Sequence, residues 1–258
     1  MTLGDVLALV LVTPADGVLP EASSASRSQL TVGGQAAICA CWAVETGARA
    51  RAVSARSYDR LGDLIEAELA ERGVEMEGPA VAGGTGLATV VRPAGARRTA
   101  LTDRGVCPAL SAEALRPEWL QDADVLHVSG YALLDQPSAD AAEHAYLLAR
   151  AAGAQLSIDL ACAEIVTPLV RERIARLQPD VALATHAQAD AIGGIDDLAD
   201  LAVISDRDAP IHRDPMGVPD AFAGGFLAAF AAGAAPADAI SLGREMAAQC
   251  GARTGPLP

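Results

Sequence analysis

The chain contains no lysine: all 19 of its basic residues are arginine. That absence removes several chemistries. A P-loop needs a lysine after its second glycine to reach nucleotide phosphates, so that fold is excluded. Protein-kinase chemistry lacks its strand-borne lysine. Schiff-base chemistry, pyridoxal phosphate included, lacks its amine. Cations are scarce altogether, 19 against 33 acids, for a net charge of −14. Nucleic acid and anionic membranes are therefore not expected as partners, because phosphate binding needs clustered cations. Cysteine is sparse: Cys39, Cys41, Cys107, Cys162 and Cys250. An odd count with no Cys-x-x-Cys argues against a disulfide framework or a zinc site. No apolar run approaches the roughly 20 residues of a membrane helix. The first residues, Met1 to Val12, carry Asp5 and no basic flank, unlike a signal peptide. The expected location is cytoplasmic.

What is present is ordinary for a globular protein, with 51% hydrophobic and 20% charged residues. The 258 residues fit a single large α/β domain. Val6 to Val12 reads as a buried strand, Thr13 to Ser28 as a loop, and Gln29 to Val32 as a short strand ending at Gly33-Gly34. An apolar helix follows over Gln35 to Glu45, then a strand over Arg49 to Ser54 and a helix over Leu61 to Arg72. Thr85 to Val91 and Arg98 to Thr102 read as a hairpin that stands apart. Strand and helix then alternate: strands at Val125–Ser129, Gln155–Asp159, Val181–Ala184 and Ala202–Ser205. The helices between and after them are Ala139–Ala152, Pro168–Leu177, Gln188–Ile192, Asp220–Ala232 and Ala237–Cys250. Repeated strand–helix units predict a mainly parallel sheet covered by helices.

Certain runs resemble a known family. Asp214-Pro-Met-Gly217-Val-Pro-Asp220-Ala-Phe222-Ala-Gly-Gly225 is similar to the C-terminal signature of the ribokinase-like (PfkB) carbohydrate kinases, Asp-Thr-x-Gly-Ala-Gly-Asp-x-Phe-x-x-Gly. Gly33-Gly34-Gln-Ala-Ala-Ile38-Cys-Ala40 resembles the family's Gly-Gly-x-x-x-Asn-x-Ala. Asp59-Arg-Leu-Gly62, Thr85-Gly86, Arg98-Thr99 and His127-Val-Ser-Gly130 match further pieces in the family's order. The resemblance implies a Rossmann-like, mainly parallel sheet flanked by helices, with a small β-sheet lid. One domain would span residues 1–258, with lid strands within about 13–32 and 85–103. It also implies phosphoryl transfer from ATP, with Mg, to a hydroxyl of a small sugar or nucleoside. A homodimer through the lid is a further implication.

The same resemblance assigns the site. Asp220 stands at the family's general base; apart from the motif, an aspartate at a helix start reads as an N-cap. Gly217 and Val218 would form the anion hole, since family members bind phosphate with backbone amides at a helix N-terminus. Pro219 stands where the family has glycine, and proline has no N–H to donate. Losing one such donor costs on the order of 2.7–4 kcal/mol in the transition state. Thr185, Gln188 and Ser205 would face the nucleotide; Thr185 and Gln188 replace the family's Asn and Glu, which removes a charge near the magnesium. Asp5, Gly33, Gly34 and Arg98 would face the acceptor. Leu9 and Ile38 replace the polar residues that grip sugar hydroxyls. Arg207, His212 and Arg213 read as exposed loop charges, with phosphate contact the alternative. No metal ligand is assigned. The substitutions keep a second reading open, a catalytically impaired member that binds a ligand or a protein.

Overall fold

The computed structural model describes residues 1–15, 23–93, 98–160, 162–163, 166–206 and 216–258. The chain opens with β1 (Thr2–Leu3), β2 (Leu7–Pro14), β3 (Ser26–Gly33) and α1 (Gln35–Glu45). Then come β4 (Ala50–Val53), β5 (Arg56–Ser57), α2 (Arg60–Glu71), β6 (Val74–Glu77) and β7 (Ala80–Val81). A hairpin, β8 (Leu87–Val91) and β9 (Thr99–Asp103), precedes the one-turn α3 (Pro117–Leu120). The C-terminal half runs β10 (Val125–Val128), α4 (Ser138–Ala151), β11 (Gln155–Asp159), α5 (Pro168–Leu177), β12 (Val181–Ala184), α6 (His186–Ala191) and β13 (Leu201–Ile204). Two helices end it, α7 (Val218–Ala231) and α8 (Pro236–Ala252).

Seven parallel strands form the central sheet in the order β13-β12-β11-β10-β1-β4-β6. From β1 the chain builds outward to β4 and β6. It then returns to β10 and builds the other way. The order therefore reverses between β1 and β10, and in open parallel sheets such a switch point opens a crevice at the carboxyl ends of the strands. Asp5 follows β1 and Ser129 follows β10, so both stand at that crevice.

A second, four-stranded sheet in the order β3-β2-β8-β9 covers the crevice. It corrects one expectation. Val6 to Val12, read as a buried strand, enters this lid as β2, and only Thr2–Leu3 enters the central sheet. Gly4-Asp5 breaks the run, which is why one apolar stretch serves two sheets. The lid thus begins earlier than residue 13. The hairpin is antiparallel, with Leu87 opposite Asp103 and Val91 opposite Thr99. The remaining elements lie within a few residues of their predicted bounds, except that β6, the β5–β7 pair and α3 were not foreseen.

The helix α7 is wedged between α1 and α8, and small residues permit it. A Cβ on Gly224 would lie 2.6 Å from the Cys39 carbonyl oxygen, and one on Gly225 would lie 2.6 Å from Met246 Cγ. Phe222, Phe226 and Phe230 stack at successive turns, with ring centroids 6.1 and 5.6 Å apart. This packing fixes the direction in which α7 points its N-terminus. A different core, on the other face, holds α4 and α5 through Leu126, Tyr146, Ile158 and Ile174. Cys39, Cys41, Cys107 and Cys250 are buried thiols, and Cys162 is partly exposed.

Candidate active site

The crevice is a cleft of about 710 Å³ between the lid and the carboxyl ends of the central strands. Asp5, Gly33, Gly34, Arg98, Thr185, Gln188, Ser205, Gly217 and Asp220 all border it. These residues span most of the sequence, and the switch point brings them together. Val218 does not line the cleft; it packs against two core clusters, one holding Phe222 and Phe226 and one holding Ile38. Asp214, Arg207, His212 and Arg213 lie outside the described residues.

At one end stands the first turn of α7. Gly217 is its N-cap, at φ +74°, and no side chain among the described residues caps it. A Cβ there would meet Pro256 Cβ at 2.4 Å, so glycine is required by both conformation and space. The helix begins two residues before the expected Asp220. Asp220 is therefore the third helical residue, not the N-cap, which corrects the cap reading. The N–H groups of Gly217, Val218 and Asp220 have no intrahelical acceptor, as in every first turn. Pro219 removes the fourth. Burial and the neighbouring Asp159 push the Asp220 carboxyl up to about 8, with Arg98 opposing. Such a carboxyl is poised to exchange a proton near neutral pH.

Asp159 itself is held firmly at the end of β11. Its Oδ1 accepts the Gly130 N–H at 2.8 Å, and its Oδ2 lies 3.5 Å from Nε2 of the buried His127. His127 Nδ1 is 3.0 Å from Ser157 Oγ. Asp159 was not singled out by sequence. Its one signal was a place at a strand's carboxyl end beside the switch point.

At the other end stands Asp5, 4% exposed. It is not an isolated acid waiting for hydroxyls. Arg104 donates to both its oxygens, Nε to Oδ2 at 2.7 Å and Nη2 to Oδ1 at 2.8 Å. The same guanidinium donates to Asp135 Oδ2 at 2.5 Å and to the Tyr131 carbonyl at 2.9 Å. A bidentate, partly buried pair of this kind fixes orientation strongly. Arg104 was missed because it follows β9 by one residue, outside any matched motif. Gly34, at φ +90°, presses on the Asp5 backbone: a Cβ would come within 2.2 Å of the Asp5 carbonyl oxygen. The di-glycine thus seats the acid, and α1 starts directly after it.

Above the acid, the cleft wall is apolar. Leu7, Leu9, Ala88 and Val90 form one cluster, with Leu11 and Met216 packed on it. Ile38 lines the floor.

Thr185 and Gln188 begin α6 and satisfy each other. Thr185 Oγ1 accepts the Gln188 N–H at 3.3 Å, and Gln188 Oε1 accepts the Thr185 N–H at 2.7 Å. This is a capping box. His186 is exposed; its backbone N–H donates to Asp206 Oδ1 at 2.8 Å, and its Nδ1 lies 2.8 Å from the same oxygen. No cluster of three His, Cys, Asp or Glu suited to a metal occurs among the described residues.

Two other matched motifs meet at the lid's base. Asp59 caps α2 and accepts from Gly62 N, Thr85 N and Thr85 Oγ1 at 2.8, 2.8 and 2.5 Å. Thr85 and Gly62 thereby hold its carboxyl down to about 2.

Residues 1–213 match the profile of the pfkB family carbohydrate kinases. The fold is similar to solved structures of low identity. Adenosine kinase from Sinorhizobium meliloti is 18% identical, with a TM-score of 0.84 over 100% of this chain and 94% of that one. Fructokinase with bound ATP from Xylella fastidiosa is 21% identical, with a TM-score of 0.80 over 98% and 93%. Ribokinase from Thermotoga maritima is 16% identical, with a TM-score of 0.79 over 100% and 95%. No curated protein matches the chain. Among the described residues no helix is long and apolar enough to cross a membrane.

Proposed function

Because the chain belongs to the pfkB family of carbohydrate kinases, we propose that it transfers the γ-phosphoryl group of ATP to a hydroxyl of a small carbohydrate-like acceptor. The observation that carries this reading is Asp220 in the first turn of α7, with its pKa raised to about 8 at the floor of the cleft. In its ionised form Asp220 takes the proton of the acceptor hydroxyl, whose oxygen bonds to the γ-phosphorus as the bond to the β–γ bridging oxygen breaks and ADP leaves. The backbone N–H groups of Gly217, Val218 and Asp220, with the helix dipole behind them, face the charge that develops.

The phosphate half suits a nucleotide, since a helix end that no side chain among the described residues caps meets the cleft. Magnesium fits the side chains less well. Gln188 is neutral, and its oxygen is engaged by Thr185. Mg²⁺ would therefore rest on phosphate oxygens and water, which is its usual habit in kinases. When bound, Mg-ATP supplies the phosphoryl group and neutralises its charge.

Pro219 and Gln188 favour a second reading, an impaired member that binds ligand without efficient turnover. Mg-ATP binding by thermal shift and ATP consumption with sugar and nucleoside panels decide between them. Turnover that disappears in Asp220→Asn supports the kinase. Absence of ATP binding at millimolar concentration removes it.

A second copy would pair on the outer lid face, where Leu30, Val10, Thr89 and Leu101 form one cross-strand row. Leu30 and Leu101 are 48% and 64% exposed there. Light scattering on the chain and on Leu101→Asp reads this: a dimer that the substitution dissociates supports the pairing, and a monomeric native chain counts against it.

A further inference from the structure

We infer that the acceptor is a nucleoside-type alcohol, a compound with a flat, largely apolar body and few hydroxyls, rather than a free polyhydroxy sugar. The inference rests on the kinase reading for the location of the acceptor but on different residues for its chemistry.

A free sugar carries a hydroxyl on nearly every carbon, and each one taken from water needs a partner. An unpartnered hydroxyl weakens binding by roughly five- to hundred-fold. The acceptor end supplies few partners. Asp5 is the buried acid there, and each of its oxygens already accepts one N–H from Arg104. A carboxylate oxygen has about two acceptor positions, so Asp5 retains roughly one on each oxygen, enough for a pair of hydroxyls. Arg104 has five N–H groups; two go to Asp5, one to Asp135 and one to the Tyr131 carbonyl. Gln35, at the cleft margin, has its side-chain oxygen bonded to Ser129 Oγ at 2.9 Å.

Arg98, Thr102 and Asp135 also border the cleft, and the wall beside them is largely hydrocarbon. Inward-facing positions alternate along β2 and β8, which places Leu9 beside Ala88 and Leu11 beside Val90 on one face. Ala100 continues that face on β9, opposite Val90. Ile38 and Ala223 close the floor. The small alanines leave width, and the branched side chains supply the contact a ring needs. A planar heterocycle on this wall, with two hydroxyls over Asp5 and a third at Asp220, matches a broad apolar face with acids at its two ends. A hexose would leave hydroxyls against leucine and isoleucine.

The test is direct binding to the full chain without ATP, by calorimetry, using adenosine and uridine against ribose, fructose and glucose. The nucleosides are expected to bind at least about tenfold tighter, a difference of about 1.4 kcal/mol. A sugar that binds as tightly as the nucleosides overturns the inference, and so does failure of both nucleosides to bind at millimolar concentration. Ala100→Trp fills the wall at an exposed strand position and should abolish nucleoside binding with an unchanged melting temperature; undiminished binding overturns the placement. Nucleoside binding without phosphorylation leaves this inference standing and removes the kinase reading. Phosphorylation of a free sugar does the reverse.

Discussion

Two helices begin at the same cleft and end their hydrogen-bonding differently. α6 starts with Thr185 and Gln188, each satisfying the other's backbone N–H. α7 starts with Gly217, in the left-handed conformation, and no side chain among the described residues caps it. Every helix leaves its first N–H groups without an intrahelical acceptor. In α6 the chain supplies the acceptors itself, at a gain of about 1 kcal/mol. In α7 the donors and the dipole are directed at the cleft. The family pattern has Asn and Glu at the positions of Thr185 and Gln188, yet Thr-x-x-Gln is a capping-box pattern. The sequence has no asparagine at all. On the kinase reading a phosphate would sit over α7, whereas the first turn of α6 is satisfied from within the chain.

If α7 is the chemical end, Asp220→Asn should have the largest effect. Phosphoryl transfer should fall by about 10²–10⁴-fold with ATP binding retained. The pH dependence carries a sign. An ordinary aspartate titrates near pH 4, whereas Asp220 titrates at about 8 in the folded chain. Between those values the folded protein holds a proton that the unfolded chain has released. Stability supplied by that proton is complete below about pH 4 and declines as pH rises towards 8. The melting temperature of the native chain, relative to Asp220→Asn, should drop from pH 5 to 8. The reaction rate should climb through about pH 8 as the base form appears. A pH-independent difference in melting temperature would mean Asp220 is ionised throughout.

The next effect belongs to the same turn but is read in stability. Gly217→Ala forces a Cβ against Pro256 at 2.4 Å and keeps a positive φ. The left-handed conformation costs about 1–2 kcal/mol for a non-glycine residue, and the collision adds to it. A total near 3 kcal/mol is expected, read as a fall of roughly 2–4 °C per kcal/mol in thermal unfolding. An unchanged melting temperature would show that the C-terminal tail yields, and that the uncapped end is not held in place by it.

Much of this contrast was legible beforehand and part was not. The parallel sheet and the hairpin follow from periodicity, because apolar spacing reports burial within one element. Asp220, Gly217 and the di-glycine are legible because a motif places them. Arg104 was illegible: its partners Asp5 and Asp135 are 99 and 31 residues away, and no local pattern announces a pairing made across the lid. The start of α7 was misplaced for a related reason. Pro219 suits any early helical position, and only the packing of Gly217 on Pro256 fixes the cap at Gly217, three residues before the predicted start at Asp220. β2 was misassigned because a fully apolar run has no period to say which sheet it enters.

Pro219→Gly tests whether the missing donor matters. It restores an N–H to the first turn and should raise the transfer rate by at least about tenfold, within the range attributed to one preorganised donor. It should also lower stability by roughly 1 kcal/mol, because glycine frees the unfolded chain. A stability loss with no gain in rate would place the phosphoryl group away from position 219.

The smallest effect comes from α6 and probes the other side of the contrast. Thr185→Ala removes one half of the capping box, at a cost of about 1 kcal/mol, and should leave Mg-ATP affinity within twofold. Gln188→Glu keeps the box, since glutamate serves at that position as well as glutamine. It also restores a negative charge beside the nucleotide end of the cleft, where Mg²⁺ prefers anionic oxygen. Stability should therefore hold while Mg-dependent ATP binding tightens by a few-fold in calorimetry. The two substitutions thus separate cap from charge at one helix end. Should Thr185→Ala weaken ATP binding tenfold without lowering the melting temperature, α6 would be a ligand-binding end like α7, and the cap would be incidental.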